Sequence, residues 1–178
     1  MTTSNLKPDR LLEGSSWIDW ASPVGDLRLV RSGERLRAIW FCDAKHCRPA
    51  GPNSRGDEAG FQVAMDQLTE YFAGKRKSFD LELEPIGTEF QQRVWSRLRA
   101  IPYGETLSYA ELAEAIGQPT AIRAVASANA RNPLSILIPC HRVVGSDGRL
   151  TGYAGGVENK RRLLDLESGE GLFSPRPS

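Results

Sequence analysis

The stretch LSYAELAEAIGQPTAIRAVASANARNP, residues 107–133, decides how the second half of this chain folds. It holds two short helical patterns around Gly117-Gln118-Pro119. The first runs from Ser108 to Ile116. The second opens with Pro119 near its first helical position, where proline's missing N–H is no loss, and closes before Pro133. Two helices joined by a short glycine-containing turn make a helix-turn-helix. The same pattern also suits a helical hairpin inside a core. Ala121, Ala124, Ala126, Ser127, Ala128 and Ala130 keep the second helix slim, which fits close approach to a DNA backbone and equally fits tight helix packing.

Upstream, TEFQQRVWSRLRAIPYGE (88–105) opens on Thr88, a cap candidate. Phe90, Val94, Trp95 and Leu98 follow at helical spacing, and Pro102 to Gly104 end the run. Further upstream, EAGFQVAMDQLTEYFAG (58–74) places Phe61, Met65, Leu68 and Phe72 on one helical face, with Gly74 as a stop. Before it, SSWIDWASPVGDLRLVRSGERLRAIWFC (15–42) reads as three short strands with turns at Pro23–Asp26 and Ser32–Glu34, hence an antiparallel sheet. DAKHCRPAGPNSRGDE (43–58) is loop-like. These patterns predict an α+β protein. A three-stranded antiparallel sheet with one helix fills 1–86, and a mainly helical unit with the helix-turn-helix fills 87–178.

Bulk properties narrow the class. The chain has 178 residues, 40% hydrophobic and 25% charged, with a formal net charge of +1. That is an ordinary globular composition, and net charge argues neither for nor against nucleic acid. Charge is uneven, however. Between Gln118 and Arg162 the bases Arg123, Arg131, Arg142, Arg149, Lys160, Arg161 and Arg162 face only Asp147 and Glu158. Such a local footprint can bind phosphates, or simply be a solvated face. The polar start and the lack of a long apolar run predict a cytoplasmic protein with no membrane partner. The three cysteines, Cys42, Cys47 and Cys140, show no disulfide framework.

Downstream, LSILIPCHRVVG (134–145) sets Cys140 beside His141 after an apolar run that reads as a buried strand. A cysteine reacts as thiolate and needs a base or cation nearby. Neighbouring residues of an extended chain point to opposite faces, so a turn or a bridging water would have to join the pair. A buried cysteine beside an unrelated histidine is the plainer alternative. Structural zinc at Cys42, His46 and Cys47 does not match the usual ligand spacing, and an incidental loop is favoured there.

IPCHRVVG resembles the active-site signature of the O6-alkylguanine-DNA alkyltransferases, and the likeness runs from about residue 87 to 168. The first half is similar only in layout, which in that family is ribonuclease H-like. The closest likeness is to the stand-alone, Ogt-like bacterial type. The resemblance implies irreversible, single-turnover transfer of an alkyl group from O6-alkylguanine, and O4-alkylthymine, in duplex DNA to Cys140. His141 would be the base through water, Glu167 would orient it, and Asn132 would link the helix-turn-helix to the site. Arg123 would replace the flipped nucleotide in the stack, and Tyr109 would crowd its phosphate. Tyr153 would close on the guanine, and Gln118 and Ser146 would touch the DNA backbone. It implies no cofactor, no metal carried over, and a monomer, with cooperative assembly along DNA left open. Two other readings stand beside it: a lesion-binding protein without catalysis, which Cys140 argues against, and an unrelated thiol hydrolase, which leaves the helix-turn-helix without a task.

Overall fold

The computed structural model describes residues 14–42 and 58–170. Strands β1 (Ser16–Ser22), β2 (Gly25–Ser32) and β3 (Arg35–Phe41) form an antiparallel sheet in that order. Trp17 pairs with Val30 and Leu29 with Ile39, and a register shift lies at Val30/Arg31. Central strand β2 buries Leu27, Arg28, Leu29 and Val30 in succession, with Arg28 paired to Asp19 on β1 at 2.7 Å.

A 3-10 turn (Glu58–Phe61) leads into α1 (Gln62–Phe72). Phe61, Met65, Leu68 and Phe72 are buried, as their spacing predicts, and Tyr71 joins them. Each such side chain contributes about 1.5–3 kcal/mol by leaving water. An extended segment then reaches α2 (Glu89–Arg99). Thr88 closes a full capping box: its side chain accepts from the Gln91 N–H, and the Gln91 side chain accepts from its own N–H. Gly87 is required here because a Cβ would overlap the Trp95 ring.

Strand β4 (Leu107–Ser108) leads into α3 (Tyr109–Ala115), capped by Ser108 with Glu111. Helix α4 (Ile122–Ala130) follows across a turn. Pro119 lies in that turn, three residues before the helix, so the second helix is shorter than the sequence pattern predicts. The Trp95 indole N–H donates to the Ala128 carbonyl at 2.9 Å, pinning α4 to α2. The chain then turns at Cys140–Arg142 in a 3-10 turn. It makes β5 (Val143–Val144), parallel to β4, and ends in α5 (Gly156–Ser168).

The two halves share one core. It runs from Leu27 and Phe61 through Trp95 and Val125 to Leu163. The free edge of β3 is covered at two places. Near Leu36 it bonds the 82–84 backbone, and at Ile39 it bonds Pro133 and Ser135. The first half thus holds the segment that leads to Cys140.

LSILI is not the buried strand that its composition predicts. Residues 134–138 are buried but turn sharply. Leu134 makes an isolated bridge to Ile39, and Ile136 sits at φ 74°. Positive φ in a β-branched residue is a strained backbone that the surroundings must impose. Among the described residues no helix is long and apolar enough to cross a membrane. Cys42 is disulfide-bonded, where the sequence showed no disulfide framework. His46 and Cys47 lie outside the described residues, as does the rest of the 43–57 loop.

Candidate active site

Cys140 begins the 3-10 turn and is buried, and His141 behind it is fully buried. The pair therefore sits on a 3-10 turn rather than an extended chain, with successive side chains about 120° apart. The turn is held from outside. The Asn132 side chain donates to the Ile138 carbonyl at 2.7 Å and accepts from the Leu134 N–H at 3.0 Å. Asn132 therefore closes the strained 134–138 turn and ties the end of α4 to the segment that leads into Cys140. Asn129, on α4 itself, reaches the Cys140 carbonyl at 3.5 Å.

His141 Nε2 lies 2.7 Å from Glu167 Oε1. Glu167 sits at the end of α5, on the face with Lys160 and Leu163. With an ionised carboxylate at Nε2, that nitrogen carries the proton, and Nδ1 is left as the acceptor. Nδ1 is buried and has no hydrogen-bond partner. Burial pushes the imidazole down, and Glu167 opposes this. The resting histidine is neutral and able to take a proton.

Glu167 is the hub. Arg142 donates through Nε to Oε2 at 2.8 Å and through Nη2 to Oε1 at 3.0 Å. The Tyr71 hydroxyl donates to Oε1 at 2.6 Å, and the Gly104 N–H approaches Oε2 at 3.3 Å. Burial alone would raise this carboxyl, but the His141 and Arg142 hydrogen bonds hold it well below the usual carboxylate range. Gly104 stands at φ 82°, and a Cβ there would press on the Glu167 carbonyl.

Burial pushes the Cys140 thiol up, while the polar Asn132 side chain and the Lys160 charge pull it down. Lys160 is fully buried. Its ammonium donates to the Thr151 carbonyl at 3.0 Å and lies 5.9 Å from the Tyr109 ring centre. Tyr109 opens α3 and is half-buried. Tyr153 packs edge-on against Phe41 at 5.4 Å and lies 6.4 Å from His141, with its hydroxyl buried and unpartnered. Cys140, His141, Glu167, Asn132 and Tyr153 are thus brought together, with Tyr109 reached through Lys160. Arg123 and Ser146 lie on the exposed surface, and Gln118 is half-buried in the turn before α4.

Two of the seven basic residues in the 118–162 stretch are turned inward and belong to neither a phosphate-binding nor a solvated face. Arg142 and Lys160 are buried and bonded within the protein. Tyr71 is a third residue of the site that sequence reading missed. Helical spacing held the signal for two of them. Lys160 shares a face with Leu163 and Glu167, and Tyr71 shares one with Leu68. No sequence feature marks Arg142 as inward.

The chain matches two family models: 6-O-methylguanine DNA methyltransferase, DNA binding domain, over residues 89–169, and the ribonuclease-like domain of the same family over 18–85. It is 49% identical to a methylated-DNA--protein-cysteine methyltransferase of Mycobacterium tuberculosis over 146 residues, covering 82% of this chain and 88% of that protein. A relative of the same name in Methanosarcina acetivorans is 49% identical, covering 82% and 94%. A Mycobacterium tuberculosis OGT crystallised in complex with DNA superposes with a TM-score of 0.78 at 47% identity, covering 88% of this chain and 93% of that one.

Proposed function

The chain belongs to the 6-O-methylguanine DNA methyltransferase family and is a DNA-repair methyltransferase; from that premise we propose that it moves the alkyl group of O6-alkylguanine in duplex DNA onto its own Cys140, once and irreversibly. One observation carries the reading. A buried thiol adjoins a neutral histidine whose Nε2 is held by Glu167 and whose Nδ1 is free to accept a proton.

The Cys140 proton passes through water to His141 Nδ1, and Glu167 stabilises the imidazolium that forms. The Cys140 Sγ attacks the alkyl carbon in line. A C–S bond forms, the C–O6 bond breaks, and the electron pair leaves on guanine. The Tyr109 hydroxyl is the donor we assign to that leaving group. The product is a thioether, which thiol exchange cannot reverse, so each molecule acts once and needs no cofactor. O4-alkylthymine presents the same alkyl–oxygen bond and is the second substrate.

The alkyl carbon cannot reach a buried thiol while the base is stacked, so the nucleotide must flip, at a cost of a few kcal/mol. Exposed Arg123 on α4 fills the gap in the stack. Tyr109 crowds the phosphate, and Gln118 and Ser146 contact the backbone. Tyr153 closes over the base, and Asn132 couples α4 to the thiol. α4 enters the minor groove, whose poor base code suits a lesion scanner. That a Mycobacterium tuberculosis OGT was crystallised in complex with DNA supports DNA as the partner. The reading takes residues 1–86 and 87–178 as the two units of a cytoplasmic monomer, with cooperative assembly along DNA open. Repair of a labelled duplex by limiting protein tests it: product should plateau at one lesion per molecule, and continued turnover would refute the single-use mechanism.

A further inference from the structure

We propose that Tyr71, on helix α1 of the first half, is a positioning residue for alkyl transfer: its hydroxyl fixes Glu167 Oε1 where the carboxylate orients His141. The inference rests on the reading of Cys140, His141 and Glu167 given above.

The geometry is specific. Tyr71 donates to the same carboxylate oxygen that faces His141 Nε2, at 2.6 Å against 2.7 Å. It does not take a nearby backbone carbonyl. Glu167 meets five donors: Tyr71 Oη, His141 Nε2, Arg142 Nε and Nη2, and the Gly104 N–H. A carboxylate offers about four lone-pair directions, so these donors share its charge and lock its rotation. Tyr71 is itself immobile. It is fully buried, with Phe72, Phe79 and Tyr103 rings at 5.5, 5.3 and 6.1 Å. Burial and the Glu167 charge push its phenol well up, so the hydroxyl remains a donor.

Tyr71 thereby controls how much negative charge Oε1 presents to the imidazole. The other titratable groups around the pair are Cys140 and Arg142 on the 3-10 turn, Tyr103 before β4, Tyr153 in the loop and Lys160 on α5. None of these is changed by removing the Tyr71 oxygen. Without that donor, Oε1 attracts the His141 proton more strongly, and the imidazolium forms at higher pH.

The test is Tyr71→Phe, which keeps the buried ring and deletes only the hydroxyl. The rate of Cys140 alkylation by free O6-benzylguanine, followed by intact mass across pH, avoids any step on DNA. The variant should react on the order of tenfold more slowly at neutral pH. Its acidic limb should move up by about half a pH unit. In a Glu167→Gln background the same substitution should have little further effect, because Tyr71 acts through the carboxylate. An unmoved acidic limb would overturn the proposal, even if the variant were less stable. So would an equal loss in both backgrounds. If the unmodified protein placed no alkyl group on Cys140, the reading of the site would fail first, and this proposal with it.

Discussion

Arg142 grips both oxygens of Glu167, with Nε to Oε2 at 2.8 Å and Nη2 to Oε1 at 3.0 Å, while its Nη1 donates to the Ile101 carbonyl at 2.6 Å. The arginine beside the cysteine–histidine pair therefore belongs to the interior. Its work is to hold a buried carboxylate ionised and still. Breaking one partner of such a pair leaves an uncompensated buried charge, which costs about 3–5 kcal/mol. Arg142→Ala should lower stability by that amount in urea denaturation. Arg142→Lys keeps the charge but loses the planar fork, and should fall in between. A near-neutral Arg142→Ala would mean that Glu167 does not depend on this contact.

Arg123 makes the opposite prediction. It is exposed on α4 and no hydrogen bond or ion pair to it is seen among the described residues. Arg123→Ala should leave the urea midpoint unchanged. It should weaken repair in duplex DNA far more than reaction with free O6-benzylguanine, because only the duplex requires flipping. Equal losses on both substrates would count against intercalation.

The pair Arg123 and Arg142 also marks where sequence reading ends. Strands, caps and helical faces were legible, since two-fold and 3.6-fold periodicity and the Thr88 and Ser108 caps are local physics. The helix-turn-helix was legible too, apart from Pro119, which took the turn. What was hidden is tertiary. Whether an arginine faces solvent or a carboxylate 25 residues downstream depends on how α5 returns to the site. Apolar LSILI looks like a strand by composition, yet Asn132 and the Ile39 bridge bend it into a turn with Ile136 at φ 74°. Cys140 and His141 drew attention by their adjacency, their roles came through family resemblance, and spacing alone left Glu167 unmarked. Tyr71 was not singled out, because helical spacing says nothing about the partner of a buried hydroxyl.

Stability should fall with acidification in a defined window. Burial pushes folded His141 below its ordinary range, whereas an unfolded histidine titrates near pH 6.5, roughly. Below that pH the unfolded chain binds a proton that the folded chain refuses, so stability rises with pH there. The depressed Glu167 carboxyl adds a second loss, which starts as unfolded glutamate protonates near pH 4.3, roughly. His141→Gln should flatten the slope of Tm against pH between about pH 5 and about pH 7. An unchanged slope would show that His141 is not the group responsible.

Gly155 tests the loop that carries Tyr153. A Cβ at Gly155 would overlap the Phe41 ring, against which Tyr153 packs. Gly155→Ala should displace that pair and cost about 1–3 kcal/mol through overpacking. It should slow alkylation by free O6-benzylguanine and by duplex alike, which separates it from Arg123→Ala. Unchanged kinetics would show that Phe41 yields without moving Tyr153.

The central claim is that Cys140 is the final acceptor of the alkyl group. Stoichiometric protein mixed with a duplex containing O6-methylguanine, then read by intact mass and peptide mapping, tests it most directly. The account predicts one added methyl group per molecule, located on Cys140 and absent in Cys140→Ser. A methyl group on any other residue, or a protein that clears lesions while its own mass stays unchanged, would contradict it.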